Sequence, residues 1–183
     1  MAENLKVKHY RNGDTISTGY SNQEWPNLST GAYAVYDNND SNANTYGYLY
    51  SWYAVNDSRN IAPEGWHIPT DEEWQTLVEY LGGSSVAGGK LKEEGTDHWQ
   101  SPNLGATNES GFKALAGGHR YKDGKYYFLN FAGTFASSTV EDSSGSPWTM
   151  WIYSGHSKTI RLYLSPFGDY YQELGMSVRC VKD

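Results

Sequence analysis

One cysteine, Cys180, stands in the whole 183-residue chain. No intrachain disulfide can form, which excludes the disulfide framework of small secreted scaffolds. No apolar run approaches the roughly 18 residues that a membrane-spanning helix needs, and no signal peptide opens the sequence. Positive charge is scarce: 14 Lys and Arg stand against 21 Asp and Glu, a net charge of −7. That balance argues against nucleic acid, which requires a basic face, and against docking on anionic lipid. Internal repeats and low-complexity linkers are also missing, so 1–183 reads as a single domain. Aliphatic residues are few, with only 38% of the chain hydrophobic.

Aromatics fill that gap. The chain has 16 Tyr and 7 Trp, so much of the core must be built from rings, whose O–H and N–H groups need partners when buried. Tyr-rich loops also suit adaptable binding surfaces. The most regular stretch is "GWHIPTDEEWQTLVEYLGG", Gly65 to Gly83. Thr70 and Glu73 form a capping box. Asp71, Glu72 and Glu73 face the positive end of the helix dipole. Trp74, Leu77, Val78 and Leu81 make the apolar face, and Gly82-Gly83 ends the helix. The acids here are framework. His67, between Trp66 and Ile68, is read as a hydrogen-bonded framework histidine.

Around this helix the other elements are expected as follows. "LKVKHYRNGDTIST" reads as a strand turning at Asn12-Gly13-Asp14. "YDNNDSNANTYG", Tyr36 to Gly47, reads as a polar surface loop. Its Asp and Asn side chains are of the kind that ligate calcium, but the EF-hand spacing and closing Glu are missing. No cofactor is therefore expected, with a structural calcium there as the one alternative. Tyr46, Leu49, Tyr50, Tyr53 and Ala54 fall at helical spacing. "SVAGGKLKEEGTDHW" reads as a short helix or turn followed by a loop. Strands are expected near Phe112–Ala116, in "DGKYYFLNFAGTFASST", and at Trp148–Tyr153, Thr159–Leu164 and Ser177–Val181. Two main helices packed on short, twisted antiparallel sheets, with many loops, make the class α+β.

The chemistry of catalysis is thin. H-E-x-x-H, G-x-S-x-G and a Gly-rich phosphate loop are all missing. His9, His67, His98, His119 and His156 show no metal-ligand spacing, so no metal site is expected. His119 and Arg120 after "AGG" offer only a weak suggestion of a cleft. Cys180, in "SVRCV", reads as an inert small hydrophobe. The chain is therefore read as non-enzymatic. Binding is better supported. Alternation along "WTMWIY" puts Trp148, Met150 and Ile152 on one face, expected to be core, and Thr149, Trp151 and Tyr153 on the other. With loop residues, that second face would form an exposed aromatic platform. The candidate ligand-binding residues are Trp151, Tyr153, His156, Tyr163, Asp169, Tyr170 and Tyr171.

The stretches "MAENLKVKHYRNGD", "GYLYSWYAVN", "APEGWHIPTDEEWQTLVEYLGG", "AGGKLKEEGTDHW", "NESGFKALAGGHR", "ASST" and "GMSVRCVKD" occur in this order. Together they resemble the Fibrobacter succinogenes major paralogous domain, across essentially the whole chain. The resemblance implies a C-type lectin-like fold, related to the formylglycine-generating enzyme branch, where "IPTDEEWQ" opens a core helix and "GMSVRC" closes the sheet. It also implies an exported or lipid-anchored surface protein of Bacteroidetes or Fibrobacteres. On that basis Met1 is an internal methionine, the domain is extracellular or on the cell surface, and its signal or anchor lies outside this chain. The family's two tryptophans before "SST" are replaced by Phe135 and Ala136, and Val140 to Leu174 matches only loosely. The expected role is a non-catalytic module binding a glycan or surface protein through residues 140–174, without inserting in a membrane. A retroelement-diversified variable protein, binding a phage or cell-surface receptor, is the alternative. A near-copy of the codons for 140–174 beside a reverse transcriptase gene would distinguish it. An enzyme of the formylglycine-generating branch, acting on glycan or peptide, is disfavoured by the single cysteine. The E-P-N, Q-P-D and W-N-D motifs of calcium-dependent lectins are missing.

Overall fold

The computed structural model describes residues 1–141, 146–163 and 172–183. Among them stand four α-helices: α1 (Asp40–Tyr46), α2 (Trp52–Val55), α3 (Asp71–Tyr80) and α4 (Ala87–Leu91). Helix α3 begins and ends where its sequence requires. The Thr70 hydroxyl accepts from the Glu73 amide at 3.2 Å, and the Glu73 carboxylate accepts from the Thr70 amide at 2.8 Å. At the other end Gly82 and Gly83 take φ of 99° and 92°, and the Gly83 amide reaches back to Val78 O at 2.9 Å. Few side chains tolerate two successive left-handed residues.

Two helices differ from expectation. The stretch read as a polar loop is a short 3-10 turn, Tyr36–Asn38, leading into α1. Asn39 caps α1 by accepting from the Ser41 amide, and Ala43 and Tyr46 bury one side of it. The Asn and Asp residues that suggested a turn are thus partly a helix cap. Conversely, the helical stripe expected from Tyr46 shortens to α2. Leu49–Tyr50 form strand β2, paired antiparallel with β1 (Tyr33–Ala34). In α4, Gly88 and Gly89 allow a close crossing of chains. A Cβ on Gly88 would lie 2.4 Å from Lys158 O, and one on Gly89 2.2 Å from Gly105 O.

The main sheet contains β4 (Gly117–Arg120), β5 (Tyr126–Leu129), β6 (Ala132–Val140), β7 (Pro147–Tyr153) and β8 (Thr159–Tyr163). Their order across the sheet is β5-β4-β6-β7-β8. All neighbours are antiparallel except β4 and β6, which run parallel through Gly118 and Gly133. The strand expected near Phe112–Ala116 forms later, at β4, and Ala114 makes only an isolated bridge to Lys92. The expected strand at Ser177–Val181 is divided. Residues 175–177 bridge Arg120, Tyr50 and Phe135, joining β2 to the main sheet. Beyond them β9 (Val181–Lys182) pairs with β3 (Trp66–His67). The class is α+β.

Each face of the main sheet carries its own core. Phe135, Met150 and Ile152 pack with Trp74, Leu91 and Trp99. Phe135 lies 5.9 Å from Trp74 and 5.6 Å from Phe112, ring to ring, so the phenylalanine at this departure from the family pattern is fully packed. On the opposite face, Ala136 and Trp151 join Tyr50, Trp52, Leu174 and Met176. Buried indoles find acceptors: Trp74 donates to Ala136 O and Trp99 to Ala114 O. Cys180 is buried and burial pushes its thiol up to about 11, consistent with an inert apolar residue. His67 is held at both ring nitrogens, by Asp183 at 2.6 Å and Glu73 at 2.8 Å.

Candidate functional site

On the face of the sheet away from α3, β6 presents only small side chains: Ala132, Thr134 and Ala136. Their neighbours on β7 are Tyr153, Trp151 and Thr149. Small residues on the middle strand let large ones from both sides meet above it. His119 of β4 and Trp151 of β7 do so over Thr134, with ring centroids 5.0 Å apart. From Trp151 a chain of contacts runs to Tyr153 (6.0 Å, stacked), Phe131 (5.8 Å), Phe128 (5.5 Å) and back to His119 (5.4 Å). Five rings thus form a closed circuit. Tyr127 attaches to it 6.2 Å from His119, and His156 lies 5.4 Å from Tyr153.

The circuit depends on an unusual backbone. In a regular strand Tyr127 and Phe128 would point to opposite faces. Phe128 instead has φ of +66°, a left-handed conformation that a bulky residue adopts only under constraint. The break in alternation brings both rings against His119. Such a conformation costs on the order of 1–3 kcal/mol. Phe128 is 46% exposed and Tyr127 37%, so much of their surface meets solvent.

Beneath them the polar chemistry is incomplete. His119 is 3% exposed and Thr134 fully buried, yet His119 Nδ1 and Thr134 Oγ1 have no hydrogen-bond partner among the described residues. Burial pushes the His119 imidazole down to about 4, so it is neutral at physiological pH. The Tyr127 hydroxyl donates to the exposed Asp123 carboxylate at 2.8 Å, which raises the phenol. Behind the circuit the β7–β8 turn is tied down by a lysine. Lys92, fully buried, donates to the carbonyls of Leu104 (2.8 Å), Tyr153 (3.1 Å) and His156 (3.1 Å). Burial brings its ammonium down to about 8.

Three of the residues expected to bind, Trp151, Tyr153 and His156, come together here. The exposed platform is corrected, however: Trp151 is 7% and Thr149 2% exposed. Trp151 is covered by His119 and the C-terminal core residues, and its indole donates to Thr149 Oγ1 at 2.8 Å. On the α3 face Met150 and Ile152 are core as expected, while Trp148 is half-buried beneath the Arg161 guanidinium, 3.6 Å from its centroid. Tyr163 ends β8 opposite Trp148. Asp169, Tyr170 and Tyr171 lie outside the described residues. Of His119 and Arg120, both buried, His119 joins the circuit and Arg120 does not. Arg120 is buried between the rings of Trp25 and Tyr126. Sequence reasoning missed Phe128 and Phe131. The dense run "KYYFLNF" was their only signal, and Asn130, at φ 59°, marked the turn within it.

Two hollows flank α3. One, of about 540 Å³, lies against β7 and β8, lined by Trp74, Gln75, Val78, Met150 and Arg161. The other, of about 610 Å³ and mainly apolar, is lined by Trp66, Leu77, Tyr80, Phe112 and Cys180. Glu79 lies exposed in the first, while Asp71 and Glu73 are engaged in the framework. Asp71 bonds Arg161 through both carboxylate oxygens and Gln75 through one, and Glu73 caps α3 and holds His67. Among the described residues, no three His, Cys, Asp or Glu side chains converge on a metal position. No helix there is long and apolar enough to cross a membrane.

No curated protein and no solved structure matches the chain. The pattern of the Fibrobacter succinogenes major domain matches residues 1–182. The match takes in the helix-capping segment, the circuit and the closing strand alike, and the chain belongs to the Fibrobacter succinogenes major domain family.

Proposed function

We propose that this domain is a non-catalytic ligand-binding module of an exported bacterial surface protein. Its ligand is a glycan or a protein, and its recognition surface is the aromatic circuit together with the strands and loops of 140–174. The observation that carries this reading is Phe128, a bulky residue at φ +66° that is 46% exposed. A strained backbone that holds two neighbouring, partly exposed rings side by side over His119 is a device for presentation, since packing alone would favour relaxation. Exposed aromatics are the usual anchors of recognition surfaces.

A C-type lectin-like architecture is part of the same proposal. Supporting it, the first residues and the last strand lie together, with the Met1 ammonium donating to Cys180 O at 3.0 Å and the Leu5 amide to Val178 O at 2.8 Å. The export of the parent protein rests on the family resemblance. The test is binding of the purified 183-residue chain to glycan and protein arrays. Saturable binding that Phe128→Gly removes, at unchanged melting temperature, is expected. Binding that survives Phe128→Gly would put the recognition surface elsewhere.

A further inference from the structure

The circuit also carries information about the class of ligand. Within it only Phe128, with the attached Tyr127, exposes more than a third of its surface. A stable protein interface takes about 800 Å² from each partner, spread over roughly 20–30 residues. Two adjacent rings, 6.3 Å apart and inclined by 50°, offer far less, but they suit one saccharide ring, whose C–H face packs on one aromatic plane while its edge meets the other. The circuit includes no lysine or arginine. Lys92 behind it is occupied by three carbonyls, and the rim is mixed in charge, the exposed Asp123 carboxylate beside Tyr127 standing against Lys125 and against Lys122 over the Tyr121 ring, so no field of one sign selects a charged ligand. Against these two rings lies His119, with an unpartnered Nδ1. Nδ1 of a neutral imidazole donates or accepts according to the tautomer, and a hydroxyl group can answer either.

We propose that the ligand is a neutral glycan, one pyranose ring of which stacks on Phe128 and Tyr127 and directs a hydroxyl toward His119. This rests on the reading of the circuit as a recognition site. In that arrangement the rings supply affinity and His119 supplies the discrimination, because a ligand that pairs the unsatisfied Nδ1 gains a buried hydrogen bond that other ligands do not. Asp123 accepts from a second hydroxyl at the rim.

The experiment uses the full chain on an array of neutral oligosaccharides (gluco-, manno-, xylo-, galacto- and N-acetylglucosamine series) beside uronate and sulfated series. Protein ligands are arrayed in parallel, and the strongest binder is followed by calorimetry. Binding to at least one neutral series is expected, weakened tenfold or more by Phe128→Gly and by His119→Phe. Tyr127→Ser, at a more solvent-facing position, serves as a second probe should His119→Phe fail to fold. Binding to acidic series only would overturn the proposal, as would neutral binding indifferent to Phe128→Gly and Tyr127→Ser. A folded His119→Phe that binds as the wild type does would overturn the hydroxyl contact. A protein ligand lost on Phe128→Gly, with no glycan bound, would overturn the glycan class and leave the binding module standing. No ligand of any kind would overturn both.

Discussion

The two faces of the main sheet follow different rules. On the α3 side, Phe135, Met150 and Ile152 meet Trp74 and Trp99, the indoles have acceptors, and the helix is capped at both ends. On the other side stand a strained Phe128, two exposed rings and two buried polar atoms without partners. The histidines show the same division. His67, at the foot of α3, is bonded at both nitrogens to carboxylates. His119 is walled by rings with Nδ1 unpaired. A sheet needs one well-satisfied face to fold. Local sacrifices on the other are affordable there, and they accumulate where recognition is proposed.

The contrast can be broken by measurement. Trp74→Ala should cost the most, about 3–5 kcal/mol by urea denaturation, as expected for truncating a buried tryptophan. Phe128→Gly should change stability by no more than about 1 kcal/mol, because glycine relieves the left-handed backbone as the half-exposed ring is lost. Equal losses from the two would erase the distinction between the faces. Next comes His119. Its folded imidazole titrates at about 4 against the ordinary value of 6.5, so the unfolded chain takes up the proton first. The stability it contributes is fully present above pH 6.5 and is lost as pH falls toward 4, by about 3 kcal/mol. The difference in pH slope between wild type and His119→Phe isolates this effect, and identical slopes would refute it. Thr70→Ala should remove about 1 kcal/mol by uncapping α3, read from the shift in denaturation midpoint. The smallest effect is expected at His67. The bonds to Asp183 and Glu73 raise its imidazole, so its contribution is present below pH 6.5 and is lost as pH rises through the folded value. His67→Gln should flatten that gentle alkaline slope, opposite in sign to the slope from His119.

The α3 face was legible because its signals are local. A Thr and a Glu three residues apart, an apolar stripe and two glycines specify the helix without reference to the rest of the chain. Helix α1 was hidden because Asn39, its cap, looks like any other turn residue in a run of Asn and Asp. For the site, alternation along β7 grouped Trp151 with Tyr153 correctly. It could not tell which side is buried, since that depends on Thr134 one strand across and His119 two strands across. Phe128 was illegible for a sharper reason. Period-2 alternation assumes negative φ throughout, and a single left-handed residue puts consecutive side chains on one side.

Lys92 has a consequence of a different kind. Its ammonium sits among three carbonyls that fix Leu104, Tyr153 and His156, a position that in many loops is filled by a free ion. Here the cation is part of the polypeptide. It is delivered in one copy with every chain and cannot be removed by a chelator or by dilution. The geometry of the turn carrying Tyr153 and His156 therefore depends on no free metal ion, and only alkaline pH, above the lowered value of about 8 for Lys92, would discharge the cation that holds it.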